Sequence, residues 1–359
     1  MRILHYVDAD NISWLRPYIN SIKSLKVEQA LLCRPGEMQK YAQDSGIETL
    51  TFKPLMPALP MLSPGFARTV KSYAPDIIHT RLSSAASIAG SWSRSLKIPV
   101  VSTFDKPAKA KYYSGAAHCI SCAHWLKRYM VNVQGMDAEK IDVVHNPVDA
   151  ARFAPDGNIR REFRESLGLS ENDILFSGMG IYVHRKGFDV LIKAFARVRE
   201  LYAGTETLNL ALIGGDGEPG IRESYLRLAG ELGVKLIMPE KFVQDVRKWL
   251  WASDIFVMPS REEGFSIALL ESLAAGLPAI VSDIEPCTEI ITPENNNGLI
   301  AKKDDPESFA QEMLRMLELG KKGRRQIVMN SLKIIRDNFT SEAAAEKTIN
   351  VYRKVLRQG

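Results

Sequence analysis

Residues 259–271 have the sequence Pro-Ser-Arg-Glu-Glu-Gly-Phe-Ser-Ile-Ala-Leu-Leu-Glu. The mainly apolar residues 252–258 before this segment predict a short buried strand that Pro259 closes. Residues 266–275 have helical spacing without a breaker, and the run ends at Gly276-Leu277-Pro278. The segment is therefore predicted to connect a strand to a helix, with Glu263 in the loop and Glu271 inside the helix.

This loop and helix start suit a ligand that combines phosphates with sugars. The N–H groups and positive partial charge of a helix N-terminus bind phosphate, and Gly264 lets a ligand approach the backbone. Glu263 and Glu271 would repel a phosphate, but they can accept hydrogen bonds from sugar hydroxyls. A phosphate flanked by sugars describes a nucleotide sugar. The alternative is an acidic loop before an ordinary amphipathic helix.

The two glutamates also resemble the E-x7-E motif of retaining glycosyltransferases of the GT-B fold, in particular the large family-4 group. The flanking P-S-x-x-E-G-F and A-A-G-L-P segments add to the likeness. The resemblance implies that Glu263 contacts the donor sugar and Glu271 the ribose. It places the donor phosphates against Gly264, Phe265, Ser266 and Ile267.

A second segment, His184-Arg185-Lys186-Gly187-Phe188-Asp189, lies between a predicted strand and helix. The forked guanidinium of Arg185 and the compact ammonium charge of Lys186 can neutralise a diphosphate at a helix N-terminus. The segment resembles the R-K-G motif of family-4 enzymes, which implies that both cations hold the leaving diphosphate. Many members carry an arginine where this chain has Ile181, so Arg185 is expected to take that role. The alternative is a solvated basic turn.

A third segment, 212–218, is predicted to be a glycine-rich turn after a buried strand, with Gly215 allowing a nucleotide to approach the backbone. It resembles the G-D-G turn of the same family. Two more segments resemble family signatures, namely 146–153 and 289–299. The likeness covers about residues 140–320 well and the first 130 residues poorly.

The first half is expected to bind the acceptor. Asp105 stands after Thr103-Phe104, where the family often has a histidine that contacts the donor sugar. The resemblance therefore implies that Asp105 hydrogen-bonds a sugar hydroxyl, and the alternative is a capping Asp at a strand end. Lys106 and Tyr112 belong to a basic, aromatic loop predicted near that site, suited to an anionic acceptor, although lysines in loops are usually just solvated.

No metal site is predicted. Cys119 and Cys122 form a single C-x2-C without a second pair, so two buried cysteines on a strand are the preferred interpretation. Asp8 and Asp10 have the D-x-D spacing that holds a metal–diphosphate in other glycosyltransferases, but they lie far from the donor motifs in the sequence. We expect no cofactor besides the nucleoside-diphosphate sugar itself, which is the donor substrate.

The whole sequence predicts an α/β protein of two domains. Its 359 residues exceed one ordinary domain, and strands alternate with helices through both halves. By resemblance, the fold is GT-B: two Rossmann-like doubly wound domains facing a cleft, with a C-terminal helix crossing back to the first. Residues 1–155 plus 340–359 are expected to form the acceptor-binding domain, and residues 156–339 the donor-binding domain.

Predicted strands are 2–7, 29–33, 76–79, 99–104, 117–122, 141–144, 173–177, 208–213, 235–238, 252–258 and 279–282. Predicted helices are 13–25, 66–73, 85–96, 187–201, 222–232, 245–251, 266–275, one starting at Asp305-Pro306, and 341–356.

The net charge of +5 does not indicate a nucleic-acid partner, and no apolar run is long enough to span a membrane. The N-terminus predicts a first strand and no signal peptide, and four cysteines fit a reducing cytoplasm.

By resemblance, we expect a cytoplasmic, metal-independent, retaining glycosyltransferase that acts on a glycan or glycolipid in bacterial lipopolysaccharide or polysaccharide biosynthesis. Front-side attack, with the donor phosphate helping to deprotonate the acceptor, is the implied course. The basic surface permits a peripheral contact with the inner membrane. Two alternatives stay open: a nucleotide-sugar 2-epimerase, and a non-catalytic subunit that binds nucleotide sugar.

Overall fold

The computed structural model describes residues 1–10, 16–54 and 63–358. The start of the helix predicted over 13–25 therefore lies outside the described residues. The chain divides into two compact units, Met1–Pro147 with Asn338–Gly359 (unit 1) and Val148–Asp337 (unit 2). Each unit holds one parallel sheet.

Unit 1 contains a seven-stranded parallel sheet with the order β3-β2-β1-β4-β5-β6-β7. Its strands are β1 (Arg2–Val7), β2 (Glu28–Cys33), β3 (Glu48–Thr51), β4 (Ile77–Arg81), β5 (Val100–Phe104), β6 (His118–Ser121) and β7 (Ile141–Val143). Its helices are α1 (Arg16–Ser24), α2 (Glu37–Asp44), α3 (Pro64–Tyr73), α4 (Ser83–Leu96) and α5 (His124–Asn132). The strand order reverses between β1 and β4, which makes the sheet doubly wound.

Unit 2 contains a six-stranded parallel sheet with the order β10-β9-β8-β11-β12-β13. Its strands are β8 (Ile174–Tyr182), β9 (Leu208–Asp216), β10 (Leu236–Ile237), β11 (Ile255–Met258), β12 (Ala279–Ser282) and β13 (Leu299–Ala301). Its helices are α6 (Ala150–Phe153), α7 (Gly157–Ser166), α8 (Phe188–Leu201), α9 (Ile221–Glu231), α10 (Arg247–Ala252), α11 (Ile267–Ala274), α12 (Glu285–Thr288), α13 (Pro306–Glu318) and α14 (Gly320–Asn338). The predicted α/β architecture of two parallel sheets is confirmed.

The last helix, α15 (Ser341–Gln358), belongs to unit 1 although most of that unit precedes it in the chain by some two hundred residues. Its apolar side chains, Ala344, Ala345, Val351, Tyr352 and Val355, share a buried cluster with Ile3, Ile77, Val101 and Ile120 of the sheet. The helix therefore completes one face of the first sheet.

Two central strands of unit 2 are longer than their sequences predict. β8 continues to Tyr182, five residues beyond the predicted end, through Gly178 and Gly180. A Cβ at Gly178 would lie 2.9 Å from side-chain atoms of Phe188 and Leu191, so glycine there lets α8 pack closely on the strand. The predicted strand ended at Ser177, before these glycines, and Gly178 serves close packing inside the longer strand.

Among the described residues, no helix combines the length and the apolar character needed to cross a membrane.

Candidate functional site

The centre of the candidate site is an ion pair between Lys186 and Glu263. Lys186 follows β8 and Glu263 follows β11, and these strands are neighbours in the sheet. Both connections therefore meet at the carboxyl edge of the sheet, where ligands of doubly wound folds bind. The Nζ of Lys186 lies 2.5 Å from Oε1 of Glu263, and the two side chains are only 10% and 7% exposed. Two motifs 77 residues apart are thus brought together.

Other groups converge on the Glu263 carboxylate. The hydroxyl of Ser260 donates a hydrogen bond of 2.7 Å to Oε1. The Nη1 of Arg185 lies 3.7 Å from Oε2, and the Arg185 side chain is about half exposed. The Glu263 carboxylate therefore faces two cations, Lys186 and Arg185, so these three side chains together carry a net positive charge. Such a charge suits an anionic ligand.

Arg261 locks the two connections together. It donates two hydrogen bonds of 2.8 Å to the carboxylate of Asp189 and one of 2.7 Å to the carbonyl of His184. Its side chain also pairs with Asp304. Burial alone would raise the pKa of Asp189, but the hydrogen bonds and charge of Arg261 outweigh it, and the net pKa is lowered.

Arg261 and Asp189 both stand in the quoted motifs, yet their sequence positions carried no signal that they pair. The φ of Gly187 is +67°, and a Cβ there would lie 2.0 Å from the carbonyl oxygen of Pro259. Glycine is therefore required where the two connections touch.

The start of α11 offers backbone groups to a ligand and little else. The Ser266 hydroxyl accepts the N–H of Leu269 as a helix cap and donates to the sulfur of Met258. The side chains of Phe265 and Ser266 are buried. Of the predicted donor-binding set, Phe265 and Ser266 can therefore contact a ligand only through their backbone. Glu271 lies in α11 and is partly exposed, as are Gly264 and Ile267.

The surroundings of Gly215 differ from the predicted turn. Gly215 lies inside β9, which continues to Asp216, so the predicted turn begins later. A Cβ at Gly215 would lie 2.8–2.9 Å from atoms of Phe242. Glycine is needed at this position to accommodate Phe242, and the approach of a nucleotide to the Gly215 backbone stays a prediction.

In unit 1, Asp105 belongs to a polar cluster at the carboxyl edge of the first sheet. The Oδ1 of Asp105 lies 3.1 Å from Nη2 of Arg81 and accepts the amide of Asn146 at 3.2 Å. Arg81 also donates to the side-chain amide oxygen of Asn146 at 2.6 Å and lies over the ring of Tyr18. The Asp105 Oδ2 is buried and has no hydrogen-bond partner among the described residues. This oxygen is a ready acceptor for a ligand hydroxyl.

The predicted basic and aromatic loop does not form a single surface beside Asp105. Lys106 is exposed directly after Asp105, at the carboxyl end of β5. Tyr112 instead lines a groove along α4 that extends to the amino end of β5 and does not include Lys106. Tyr113 is buried with its ring 5.4 Å from that of Phe104. The loop is the crossover to β6, so its residues are spread along the sheet.

Within the described ranges, no group of three or more His, Cys, Asp or Glu side chains could hold a metal ion. Cys119 and Cys122 are buried, and burial raises the pKa of the Cys119 thiol to about 12, which disfavours the thiolate that a metal needs. Asp8, the first acid of the D-x-D pattern, is buried and paired with Nε of Arg34 at 2.7 Å.

Two family models match successive parts of the chain. Residues 23–152 match the model described as Glycosyltransferase Family 4, and residues 171–319 match the one described as Glycosyl transferases group 1.

Curated relatives are glycosyltransferases. The chain is 29% identical over 301 residues to the Lipopolysaccharide core biosynthesis glycosyltransferase LpsE of Rhizobium meliloti, a match covering 82% of this chain and 81% of that protein. It is 27% identical over 272 residues to the D-inositol 3-phosphate glycosyltransferase of Nocardioides sp., covering 70% of this chain. The chain spans 58% of that protein's length and 62% of that of an uncharacterized glycosyltransferase of Methanocaldococcus jannaschii.

Solved structures share the whole fold. A glycosyltransferase from Rickettsia africae has a TM-score of 0.86 at 18% identity and covers 100% of this chain and 99% of its own. Anabaena HepE in complex with UDP has a TM-score of 0.83 at 18% identity and covers 99% of this chain and 100% of its own. These likenesses confirm the GT-B fold class.

Proposed function

Because the chain belongs to the glycosyltransferases of the group 1 and family 4 type, we propose that it moves a sugar from a nucleoside-diphosphate sugar to a glycan or glycolipid acceptor. The observation that carries this proposal is the convergence of Arg185, Lys186 and Glu263 at the carboxyl edge of the second sheet. The reaction retains the anomeric configuration and uses no metal ion.

Arg185 and Lys186 stabilise the departing nucleoside diphosphate. Arg185 is half exposed and is free to turn from Glu263, 3.7 Å away, toward a phosphate. Lys186 is held in place by Glu263, so its charge is oriented before the donor arrives. Backbone N–H groups of Gly264, Phe265, Ser266 and Ile267 at the start of α11 add to this positive environment. Such preorganised charge can replace a metal ion at a leaving diphosphate.

Carboxylates bind the hydroxyls of the donor. Glu263 contacts the transferred sugar through the oxygen that faces Arg185, and Glu271 contacts the ribose. In unit 1, the Asp105 Oδ2 accepts a hydrogen bond from a sugar hydroxyl, which its lack of a partner among the described residues supports. Lys106 contributes a cation beside it for an anionic acceptor.

The transfer follows a front-side course. The bond between the anomeric carbon and the phosphate oxygen breaks while the acceptor oxygen bonds to the same face of that carbon. The acceptor's proton passes to an oxygen of the departing phosphate, so no separate protein base is needed. Lys186 and Arg185 balance the negative charge that develops on the leaving group.

The acceptor is proposed to be a bacterial envelope glycan, such as a lipopolysaccharide or polysaccharide. The likeness to LpsE supports this class, and the complexes of HepE with UDP and with UDP-glucose support a UDP-sugar donor. All four cysteines are buried free thiols, which supports a reducing compartment and hence action at the cytoplasmic face of the inner membrane. A net charge of +5 favours a peripheral contact there.

The test is thermal unfolding with UDP, GDP, ADP and CMP, each with and without EDTA. A ligand at about one hundred times its Kd stabilises by about 2.7 kcal/mol, which is several degrees in Tm. We expect one nucleoside diphosphate to raise the Tm equally with EDTA. Lys186→Ala changes the Tm even without a ligand. The comparison between chains therefore uses the rise in Tm that the nucleotide causes in each of them. This rise is expected to vanish in Lys186→Ala and to persist in Lys193→Ala, an exposed lysine of α8.

A rise that requires a divalent metal would contradict the metal-free site, and the absence of any rise would contradict the placement of the donor. Transfer is then assayed with the matching radiolabelled nucleotide sugar and lipopolysaccharide core oligosaccharide. Binding without transfer to any envelope glycan would favour the non-catalytic subunit.

A further inference from the structure

A groove of about 570 Å³ in unit 1 includes Tyr112 but none of the other residues assigned to sugar transfer. It runs along the second half of α4 to the amino end of β5, and the connection 111–117 forms its other wall. The two walls touch at Gly90 and Gly115, where a Cβ on Gly115 would lie 2.4–2.5 Å from the Gly90 backbone. This close contact of backbones gives the groove a fixed shape.

Three cations line the groove: Arg94 and Lys97 from α4 and its end, and Lys111 from the opposite wall. All are exposed, and none of the three side chains has a hydrogen bond or ion pair with another described residue. The Nζ of Lys111 lies 5.4 Å from the centre of the Tyr112 ring, and no acidic side chain lies among the lining residues. The negative C-terminal end of the α4 dipole favours cations, which explains the presence of Arg94 and Lys97 there. The dipole does not explain the presence of Lys111, which belongs to another element. Lys97 also has a φ of +54°, which is costly for a residue with a Cβ.

The hydroxyls in the groove are arranged to accept hydrogen bonds. Ser91 donates its hydrogen to the Ser87 carbonyl at 2.8 Å, and Ser93 donates to the Gly90 carbonyl at 2.8 Å. Ser114 donates to the Lys111 carbonyl at 3.0 Å. Because each hydroxyl has only one hydrogen, the lone pairs that remain can accept hydrogen bonds from a ligand's own hydroxyls. The groove thus offers cations to an anion and acceptors to hydroxyl groups.

We propose that this groove binds an anionic glycan, that is, a saccharide carrying carboxylate or phosphate groups, at a site separate from the transfer site. A saccharide supplies hydroxyl donors for the serines, its charged groups pair with the three cations, and the half-buried ring of Tyr112 offers a flat apolar face. A membrane surface lacks this match because the groove is concave.

The groove and Asp105 lie at opposite ends of β5. Val100, the first residue of the strand, lines the groove, and Asp105 follows the last residue. At about 3.3 Å per residue, roughly 16 Å separates the two positions. A glycan held in the groove would therefore contact a surface remote from Asp105, and it would keep a long acceptor attached between transfer events.

The experiment measures binding of a fluorescent hexamer of galacturonic acid by anisotropy, without any nucleotide, so its outcome does not depend on the proposed transfer. Arg94→Gln/Lys111→Gln is compared with Lys40→Gln/Lys71→Gln, which removes two exposed cations elsewhere in unit 1. We expect the Kd to rise about tenfold in the first variant and less than twofold in the second. Lys97→Asn, whose asparagine tolerates a positive φ, should weaken binding about threefold.

Three competitors identify what the groove recognises. Unlabelled galacturonic acid hexamer should displace the probe, whereas maltohexaose and inorganic phosphate at equal concentration should not. Displacement by phosphate as effective as by the hexamer would overturn the glycan assignment in favour of a bare anion site. Displacement by phosphatidylglycerol vesicles but not by the hexamer would overturn it in favour of a membrane contact. Equal binding by the groove variant and the control variant would overturn the location.

Discussion

At the residue scale, the buried pair of Lys186 and Glu263 is expected to contribute to both the stability of the fold and sugar transfer. Removing one partner of a buried ion pair leaves an uncompensated charge and costs about 3 kcal/mol. We expect Lys186→Met to lower the free energy of unfolding in urea by about that amount, because Glu263 is only 7% exposed. Sugar transfer should fall at least about a hundredfold because the leaving diphosphate loses a cation.

The double variant Lys186→Met/Glu263→Gln separates the two effects. It removes both charges, so most of the lost stability should return while transfer stays low. If the single variant were as stable as the original chain, the pair would not be the buried, mutually dependent unit described above.

The second residue-scale prediction concerns Asp189 and the pH dependence of its pairing with Arg261. Because folding lowers the pKa of this carboxyl from its usual 3.8, the pair contributes stability above that pH and loses it as the pH falls through the lower folded value. At pH 7, Asp189→Asn should cost about 1–2 kcal/mol in urea unfolding. The difference between the two chains should shrink below about pH 4.

Asp304→Asn is the matched control for Asp189→Asn. Asp304 pairs with the same arginine but is about half exposed, so this change should cost less than about 0.5 kcal/mol at pH 7. Asparagine also tolerates the positive φ at this position. Equal costs for the two changes would show that the bidentate geometry at Asp189 adds nothing.

Sequence reasoning predicted which motifs carry charge but not how their side chains pair. Lys186, Glu263 and Arg185 were each expected at the donor, and their mutual contacts appear only once β8 and β11 are known to be neighbours. The packing that requires glycine at position 215 was missed for the same reason, because Phe242 reaches it from a distant connection. Contacts between residues far apart in sequence depend on strand order, which local patterns do not specify.

At the element scale, β1 and β4 bring two histidines into the core of unit 1. His5 and His79 are direct partners in the strand register, and their rings lie 5.6 Å apart. His5 contacts the Tyr18 hydroxyl, while His79 contacts the Thr103 hydroxyl and, through the terminal helix, that of Tyr352. Burial lowers the pKa of His5 to about 3 and places that of His79 well below its usual value.

These lowered pKa values predict that unit 1 loses stability in mild acid. Unfolding allows both histidines to bind protons below their ordinary pKa of about 6.5, whereas the folded protein excludes those protons. Each histidine should therefore remove about 1.4 kcal/mol of stability per pH unit between about pH 6 and 4.5. The measurement is the free energy of unfolding against pH, followed by the fluorescence of Trp92 in a chain whose other tryptophans are replaced by phenylalanine.

His5→Asn/His79→Asn should be less stable at pH 8 but should show a flatter dependence on pH. His184→Asn, at an exposed position, is the control for replacing a histidine outside the core of unit 1. If the double variant kept the full slope, the protons taken up on unfolding would belong to other groups.

The periodicity of apolar residues was sufficient to predict most strands of both sheets, and it failed where other forces decide. β8 and β9 extend through glycines that are needed for close packing, so their sequences resemble turns. No helix was predicted in the charged segment 156–172, yet it contains α7, whose Arg160 and Arg164 bind Asp254. Helix α14 begins with Gly-Lys-Lys-Gly and lacks the apolar pattern that would have revealed it.

At the scale of the whole molecule, the chain builds unit 1 from both of its ends. The polypeptide leaves unit 1 at Pro147, forms unit 2, and returns at Asn338 to supply α15. That α15 is amphipathic was evident from the sequence, whereas its position in a cluster with Ile3, Ile77 and Val101 depends on the return of the chain. The stability of unit 1 therefore requires residues that follow unit 2 in the chain.

Removing residues 341–359 tests this dependence. The truncation strips five buried side chains of α15 from the cluster that covers β1, β4 and β5, and loss of even one large core side chain costs 2–5 kcal/mol in typical domains. Amide hydrogen exchange followed by mass spectrometry should show protection falling by more than about a hundredfold in these three strands. Peptides from β8 and β11 should keep their protection, since unit 2 has its own core.

A chain ending at Leu356 retains every one of the five residues and should exchange like the original. Unchanged protection of β1 and β4 after the longer truncation would contradict the structural role of α15, and loss of protection in β8 as well would mean that the two units unfold together.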